Sequence, residues 1–510
     1  MSSKFQVKKK AIQKRSNSLR KLGNRIKRRL KKRRWKNQPD PIMKGGNIRY
    51  EVSEKTRAMN YGGIGVIHTM VQKIGLDKAI NQLDLLKLNV PYHESDHVLN
   101  IAYNVLLGGK RLEDIELRRN DEVFLNALGA QRIPDPTTAG DFTRRFDESN
   151  NLELMEAINS VRDRIWPKVP GLFRGWTYID IDGTLTGTLG ECKEGMDISY
   201  KGIWGYHPLI ISLANTKEVL YIVNRPGNVP SHQNSAIWLD RSISLVSKHA
   251  SKVCLRGDTD FSLTGHFDGW SREVDFVFGM DAQSWLTNRA DDLPESAWAV
   301  LERAPKYIVE TRERERPENV KEQIVREREY KNVRLISEDV AEFDYQPKKC
   351  RNAYRMVVVR KNLSIERGEN VLFDDIRYFF YITTHRDITA AEVVKLANER
   401  CDQENINEQL KNGVNAMRLP MRDLNSNWAY MIMAALAWNL KAWLGLLMPN
   451  RAQGWQIVQM EFRRFLNTFI LIPCQIIRKS RGLVFRVLTY NKELKYLFHA
   501  FEKIRRLQLE

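Results

Sequence analysis

An α/β fold is predicted, with helical regions at both ends of the chain, from three observations. Residues 41–165 carry apolar residues at helical spacing, as in Gly62 to Leu86 and His97 to Leu107. At Trp176 the pattern changes to short, closely spaced β-rich segments that then alternate with helices. A second β-rich stretch, 290–385, precedes a return to helical spacing.

Taken in order, Gly108-Gly109 breaks the first helical region, and Ile133-Pro-Asp-Pro-Thr-Thr138 turns into a short basic helix ending in Arg144 and Arg145. A helix opening after Pro and Thr with two arginines suits contact with DNA, and equally an ordinary surface. Trp176 to Thr186, Ile203 to Leu213 and Val219 to Asn224 read as an antiparallel meander. A helix from about Ser231 to His249 follows, then strands at Lys252 to Arg256 and Val274 to Phe278. That order is the order of a ribonuclease-H-like core. The core is then interrupted by a mostly β insertion, whose run Glu310-Thr-Arg-Glu-Arg-Glu-Arg316 reads as a solvated face. One helix is predicted from about Ala390 to Asn412, with a capping box at Thr389-Ala-Ala-Glu392 and a stop at Gly413. Residues 421–510 read as helical and amphipathic, with a basic end at Arg478-Lys-Ser-Arg481 and Arg505-Arg506. The domains expected are a basic, disordered DNA-contacting arm (1–40), a helical DNA-end-binding region (41–165), the core (170–289 and 386–420), the insertion (290–385) and a helical C-terminal region (421–510).

The charge is uneven. Of a net +20 over 510 residues, 17 Lys or Arg and no acid fall in residues 1–36, leaving +3 for the rest. Such an arm binds polyanions through counterion release, and no apolar segment follows it as in a secretory signal. Cys192, Cys254, Cys350, Cys401 and Cys474 are scattered, with no CxxC or Cys/His cluster, which excludes a zinc site or disulfide framework and fits a reducing cytoplasm. Trp428 to Met448 is apolar enough to resemble a membrane span, but Asn439 and Lys441 within it argue for a core helix and no membrane.

Three separated acids carry the chemistry. In Tyr178-Ile-Asp-Ile-Asp-Gly-Thr184, alternation puts Asp180 and Asp182 on one strand face. Either could bind a metal, and Asp182 is favoured beside Gly183 at the strand's open end. Asp258, after a short strand and Gly257, stands where open sheets place their sites, with Asp260 as its rival. On an ideal helix Glu404 lies about 40° from Arg400 and Lys411 about 20° from Arg400, with Asn407 beside them. That selects Glu404 over Glu399 and Asp402 but leaves Glu408 open. Three carboxylates in a basic protein suit two Mg²⁺ ions, with Mn²⁺ as substitute, about 3.5–4 Å apart for in-line phosphoryl transfer. Arg400 and Lys411 suit phosphate clamps.

These pieces resemble the DDE transposases of bacterial insertion sequences, in the group similar to the insertion-sequence-1380 branch. The resemblance covers roughly residues 60–490 and rests on Asp180-Ile-Asp-Gly-Thr184, Tyr206-His-Pro-Leu209, Arg225-Pro-Gly-Asn228, Arg256-Gly-Asp258 and Arg400-x3-Glu404-x6-Lys411. Gly62-Gly63, Asp135-Pro-Thr-Thr138 and Phe142-Thr-Arg-Arg-Phe146 are similar to the family's N-terminal region. The resemblance implies that Asp182, Asp258 and Glu404 bind the metal ions and that Arg400 and Lys411 contact phosphates near the element's end. It further implies nicking at terminal inverted repeats, attack of the freed 3′-hydroxyl on target double-stranded DNA, and a homodimer or higher oligomer acting in the cytoplasm at the nucleoid. Two positions depart from related signatures: Ala397 stands where they carry Tyr, and Thr259-Asp-Phe where many have a small residue before the aromatic.

Overall fold

The structure is a computed structural model describing residues 2–29, 48–53, 56–87, 91–303, 319–368, 370–479 and 482–507. Residues 30–40 of the cationic arm, the Glu310–Arg316 run, and Ser480 and Arg481 of the basic end lie outside the described residues. The chain forms two compact units, one of Gly171–Glu191 and Gly195–Asn407, the other of Met1–Pro170, Cys192–Glu194 and Glu408–Glu510. Residues 408–420, expected with the core, therefore fall in the second unit.

The first unit is built on a nine-stranded mixed sheet. Its strands are β1 (Thr177–Gly183), β2 (Leu209–Leu213), β3 (Glu218–Val223), β4 (Val253–Gly257), β5 (Asp275–Met280), β6 (Ala299–Val300), β7 (Lys331–Tyr345), β8 (Tyr354–Arg367) and β9 (Asn370–Thr383). They lie in the order β6-β7-β8-β9-β5-β4-β1-β2-β3. Strands β1, β4 and β5 are parallel, whereas β1-β2-β3 form an antiparallel meander. Every residue of β2 and β3 is buried, so apart from Ser212 and Glu218 both read as apolar runs rather than alternating ones.

Two details differ from the sequence reading. The expected strand Ile203 to Leu213 divides at His207-Pro208, because proline has no N–H to offer a ladder. Trp204–Tyr206 instead pairs with Thr186–Gly187 and Asp197–Ile198 in a small separate sheet. The 290–385 segment, for its part, extends the main sheet, since β9 pairs with β5 from Phe380↔Met280 to Thr383↔Val277.

Helix α1 (Ser235–Val246) packs against β1, β2 and β3. Helix α2 (Ala390–Asn398) starts at the capping box of Thr389 and Glu392 and buries Val393, Val394 and Leu396 among Val277, Val357 and Val359. It does not continue to Asn412. The Asn398 side chain donates to Val394 O at 2.8 Å, competing with the next helical turn. The chain turns at Glu399-Arg400 and restarts as α3 (Cys401–Glu408), followed by a π-helical turn at Gln409–Gly413.

The second unit is mainly helical. Leu424–Leu446 is the one helix among the described residues long and apolar enough to cross a membrane, and Ser426 to Leu446 are all buried. Lys441 in its middle donates to the carbonyls of Val458 (2.9 Å) and Met460, which satisfies its buried ammonium group. Phe142 and Phe146 point into this core, where Phe142 stacks on His97 with ring centroids 4.3 Å apart. Gly63 is fixed by a close approach, since a Cβ there would fall 1.8 Å from Phe469 O. The C-terminal region is not wholly helical: Cys474–Lys479 and Gly482–Val487 form a hairpin that pairs with Ala58–Met59. Ser2–Arg29 is a single helix where a disordered arm was expected. Lys, Arg and Gln are good helix formers, and the helix gains partners: Arg15 pairs with Glu502 at 2.8 Å, and Gly23 lies against Tyr490.

Candidate active site

Adjacent parallel strands β1 and β4 deliver two carboxylates at their C-terminal ends. Asp182 is the last residue but one of β1, opposite Ile210 of β2. Asp258 directly follows β4 and caps the short turn Thr259–Phe261, its Oδ1 accepting from Asp260 N at 3.1 Å. Gly257 is required before it, because a Cβ there would meet Phe261 at 2.9 Å and Ile181 at 3.1 Å. Gly183 is required for a reason the sequence did not suggest: a Cβ would sit 2.7 Å from His207 Nε2.

Arg400 lies between the two acids, its Nη1 3.7 Å from Asp182 and its Nη2 4.0 Å from Asp258. Neither separation is a hydrogen bond, and Nη1 is buried without an acceptor. Asp182, with a side chain 15 % exposed, is pushed up to about 6, mainly by burial; Asp258 reinforces the shift, while Arg400 opposes it. Burial also raises Asp258, again against Arg400. Asn407 of α3 donates to Asp182 Oδ2 at 2.8 Å. It is held in turn by Gln403, whose Nε2 lies 3.3 Å from Asn407 Oδ1 and whose Oε1 accepts from Ser212 Oγ. Gln403 went unnoticed in the sequence, although its spacing of four from Asn407 marks a shared helix face.

Asp180 has a different setting. Arg256 stands opposite it across the parallel pair and grips both carboxylate oxygens, at 2.7 and 2.8 Å, with both side chains buried. Its oxygens are occupied, and those of its strand neighbour Asp182 face Arg400 and Asn407. Asp260 is exposed.

Glu404 is exposed on α3. Among the described residues, no three His, Cys, Asp or Glu side chains converge closely enough to hold a metal ion. The structure thus brings together Asp182, Asp258 and Arg400 and does not add Glu404 to them. Glu399 lies 3.9 Å from Arg256, and Asp402 pairs with Lys217. Lys411 and Glu408 belong to the other unit, where Glu408 accepts from Asn412 at 2.6 Å. Arg144 and Arg145 are exposed just past the helix Pro136–Thr143, with Arg144 paired to Asp141.

The donor chemistry fits a divalent cation in part. Two half-desolvated carboxylates side by side are hard oxygen ligands with unfavourable charge to neutralise. The guanidinium between them supplies that charge without bonding to either.

The family model for transposase DDE domain group 1 matches residues 54–509. The chain therefore belongs to the DDE transposases. No curated protein matches the sequence. Among solved structures, a cryo-EM structure of the piggyBac transposase synaptic complex with hairpin DNA is similar over 81 % of this chain and 82 % of that one, at 11 % identity and a TM-score of 0.36. A likeness of that size has no bearing on function.

Proposed function

We propose that this transposase, of the insertion-sequence-1380-like group, cuts DNA at the terminal inverted repeats of an insertion sequence and joins the 3′-hydroxyl ends to target DNA. The observation that carries the proposal is the pair Asp182 and Asp258, at the ends of adjacent parallel strands with Arg400 between them. The order β3-β2-β1-β4-β5, with β4 and β5 parallel to β1, supports a ribonuclease-H-like core, and β6 to β9 then form its insertion.

Asp182 and Asp258 would hold Mg²⁺ or Mn²⁺, with Glu404 as third carboxylate, about 60° around α3 from Asn407. Two such ions would activate the attacking oxygen and stabilise the leaving one. Asn407 orients the Asp182 carboxylate, and Gln403 and Ser212 hold Asn407. Arg400, next to both acids, would bind the scissile phosphate. Lys411, Arg144, Arg145 and the cationic N-terminal segment would add contacts to the DNA backbone. A homodimer or higher oligomer would hold two ends at once.

The exposure of Glu404 favours a second reading, a transposase-derived DNA-binding protein without catalysis. The test is cutting of DNA carrying the repeats that flank the gene. Mg²⁺-dependent nicks that vanish in Asp182→Asn and Glu404→Gln, with end binding retained, support the enzyme. End binding without any cutting by the unaltered protein supports the second reading.

A further inference from the structure

Two motifs singled out in the sequence, Tyr206-His-Pro-Leu209 and Arg225-Pro-Gly-Asn228, touch the site above only through His207 and Leu209 beside Gly183. In the structure both brace one element, the hairpin of Asp197–Ile198 and Trp204–Tyr206. Two glycines allow its backbone to be clamped. A Cβ on Gly205 would lie 2.0 Å from Thr186 O, and one on Gly227 2.3 Å from Asp197 O. Tyr206 bridges to Pro226. Buried Arg225 donates to the carbonyls of His207 (3.0 Å), Ser231 (2.9 Å) and Gln233 (3.1 Å). Past the break at His207-Pro208 the chain continues into Leu209, which pairs with Gly183, the neighbour of Asp182.

The tip is equally well defined. Gly202 N donates to Ser199 O at 2.8 Å, Ile203 N donates to Ser199 Oγ at 3.0 Å, and Gly202 takes a φ of 73° that favours glycine. The hairpin exposes Tyr200 (78 %) at its turn and Trp204 (55 %) on its second strand, with the Lys201 ammonium 5.3 Å from the Tyr200 ring centre. Two exposed aromatics on one clamped hairpin offer apolar ring faces on which a ligand can rest. Aromatic faces beside a cation match a nucleobase and its phosphate, which stack and pair respectively.

We propose that the Asp197–Tyr206 hairpin is a stacking platform for an unpaired nucleotide of the DNA strand held at Asp182 and Asp258. Tyr200 and Trp204 offer the ring faces, and Lys201 neutralises the adjoining phosphate. The proposal rests on the DNA-cutting reading and adds to it a preference for locally unpaired DNA.

The test uses the full chain and a short duplex bearing one unpaired fluorescent purine analogue, against the same duplex fully paired. One stacked base is worth on the order of tenfold in affinity. The unaltered protein is expected to bind the unpaired duplex about tenfold more tightly and to quench its fluorescence. The Tyr200→Ala/Trp204→Ala variant is expected to lose both the quench and the preference, and Tyr200→Phe/Trp204→Phe to keep them, with equal melting temperatures throughout. Three results would overturn the platform: no preference in the unaltered protein, a preference surviving in the alanine variant, or an alanine effect on self-association alone. Metal-dependent cutting of the paired duplex, measured alongside, separates the two ideas. Cutting without a preference for the unpaired base removes only the platform, whereas neither binding nor cutting removes the DNA-cutting reading as well.

Discussion

Asp180 and Asp182 share one face of β1, and their surroundings oppose each other. Asp180 is matched to Arg256 by two hydrogen bonds in a buried setting. Removing one partner of such a pair leaves an uncompensated charge and costs about 3–5 kcal/mol. Arg256→Met is therefore expected to lower the denaturation midpoint sharply. Asp182 behaves in the opposite sense. Its folded pKa, about 6, lies above the unfolded value of 3.8, so the folded state binds the extra proton and the stability it contributes falls as pH rises through that window. Above about pH 6 the charged carboxylate carries a cost on the order of 3 kcal/mol. Asp182→Asn is thus expected to raise the melting temperature by a few degrees at pH 7.5 and to leave it nearly unchanged at pH 4; a lower value at pH 7.5 would contradict the assignment. For the same reason Mg²⁺ affinity is expected to climb from pH 5 to 7 and then level off. The shared strand face was legible from alternation alone. Arg256 as the partner was not, because it depends on the register between β1 and β4, which are far apart in sequence.

Helix α3 shows what an ideal helix wheel can and cannot tell. The wheel put Arg400 and Asn407 on one face, and the structure brings both to Asp182. The wheel missed the break at Glu399-Arg400, which follows from the Asn398 back-bond and from the burial of α2 on the sheet. Asn407→Ala is expected to lower metal affinity by about 10–100-fold without a large loss of stability, measured by metal titration. Strand Ile203 to Leu213 was read too long for a local reason, Pro208. The hairpin Cys474–Val487 was missed because its strands are short and follow strongly helical sequence. The helix Leu424–Leu446, read from the sequence as a core helix over Trp428 to Met448, was legible because burial on all sides leaves a nearly unbroken apolar run.

For the molecule as a whole, the charge distribution predicts a division of labour. Deleting residues 1–36 removes 17 positive charges. The log–log salt dependence of DNA binding is then expected to become markedly shallower while metal-dependent chemistry persists, since counterion release scales with phosphates neutralised. An unchanged slope would place the electrostatic contacts elsewhere. The central claim is that Asp182, Asp258 and Glu404 act as one metal-dependent strand-transfer centre. Its most direct test is joining of a pre-cut element end to a target plasmid by the unaltered protein and by Asp182→Asn, Asp258→Asn and Glu404→Gln. The account predicts Mg²⁺-dependent joined product from the unaltered protein and none from any variant, with end binding preserved in all. Joined product from Glu404→Gln at the unaltered level would contradict it.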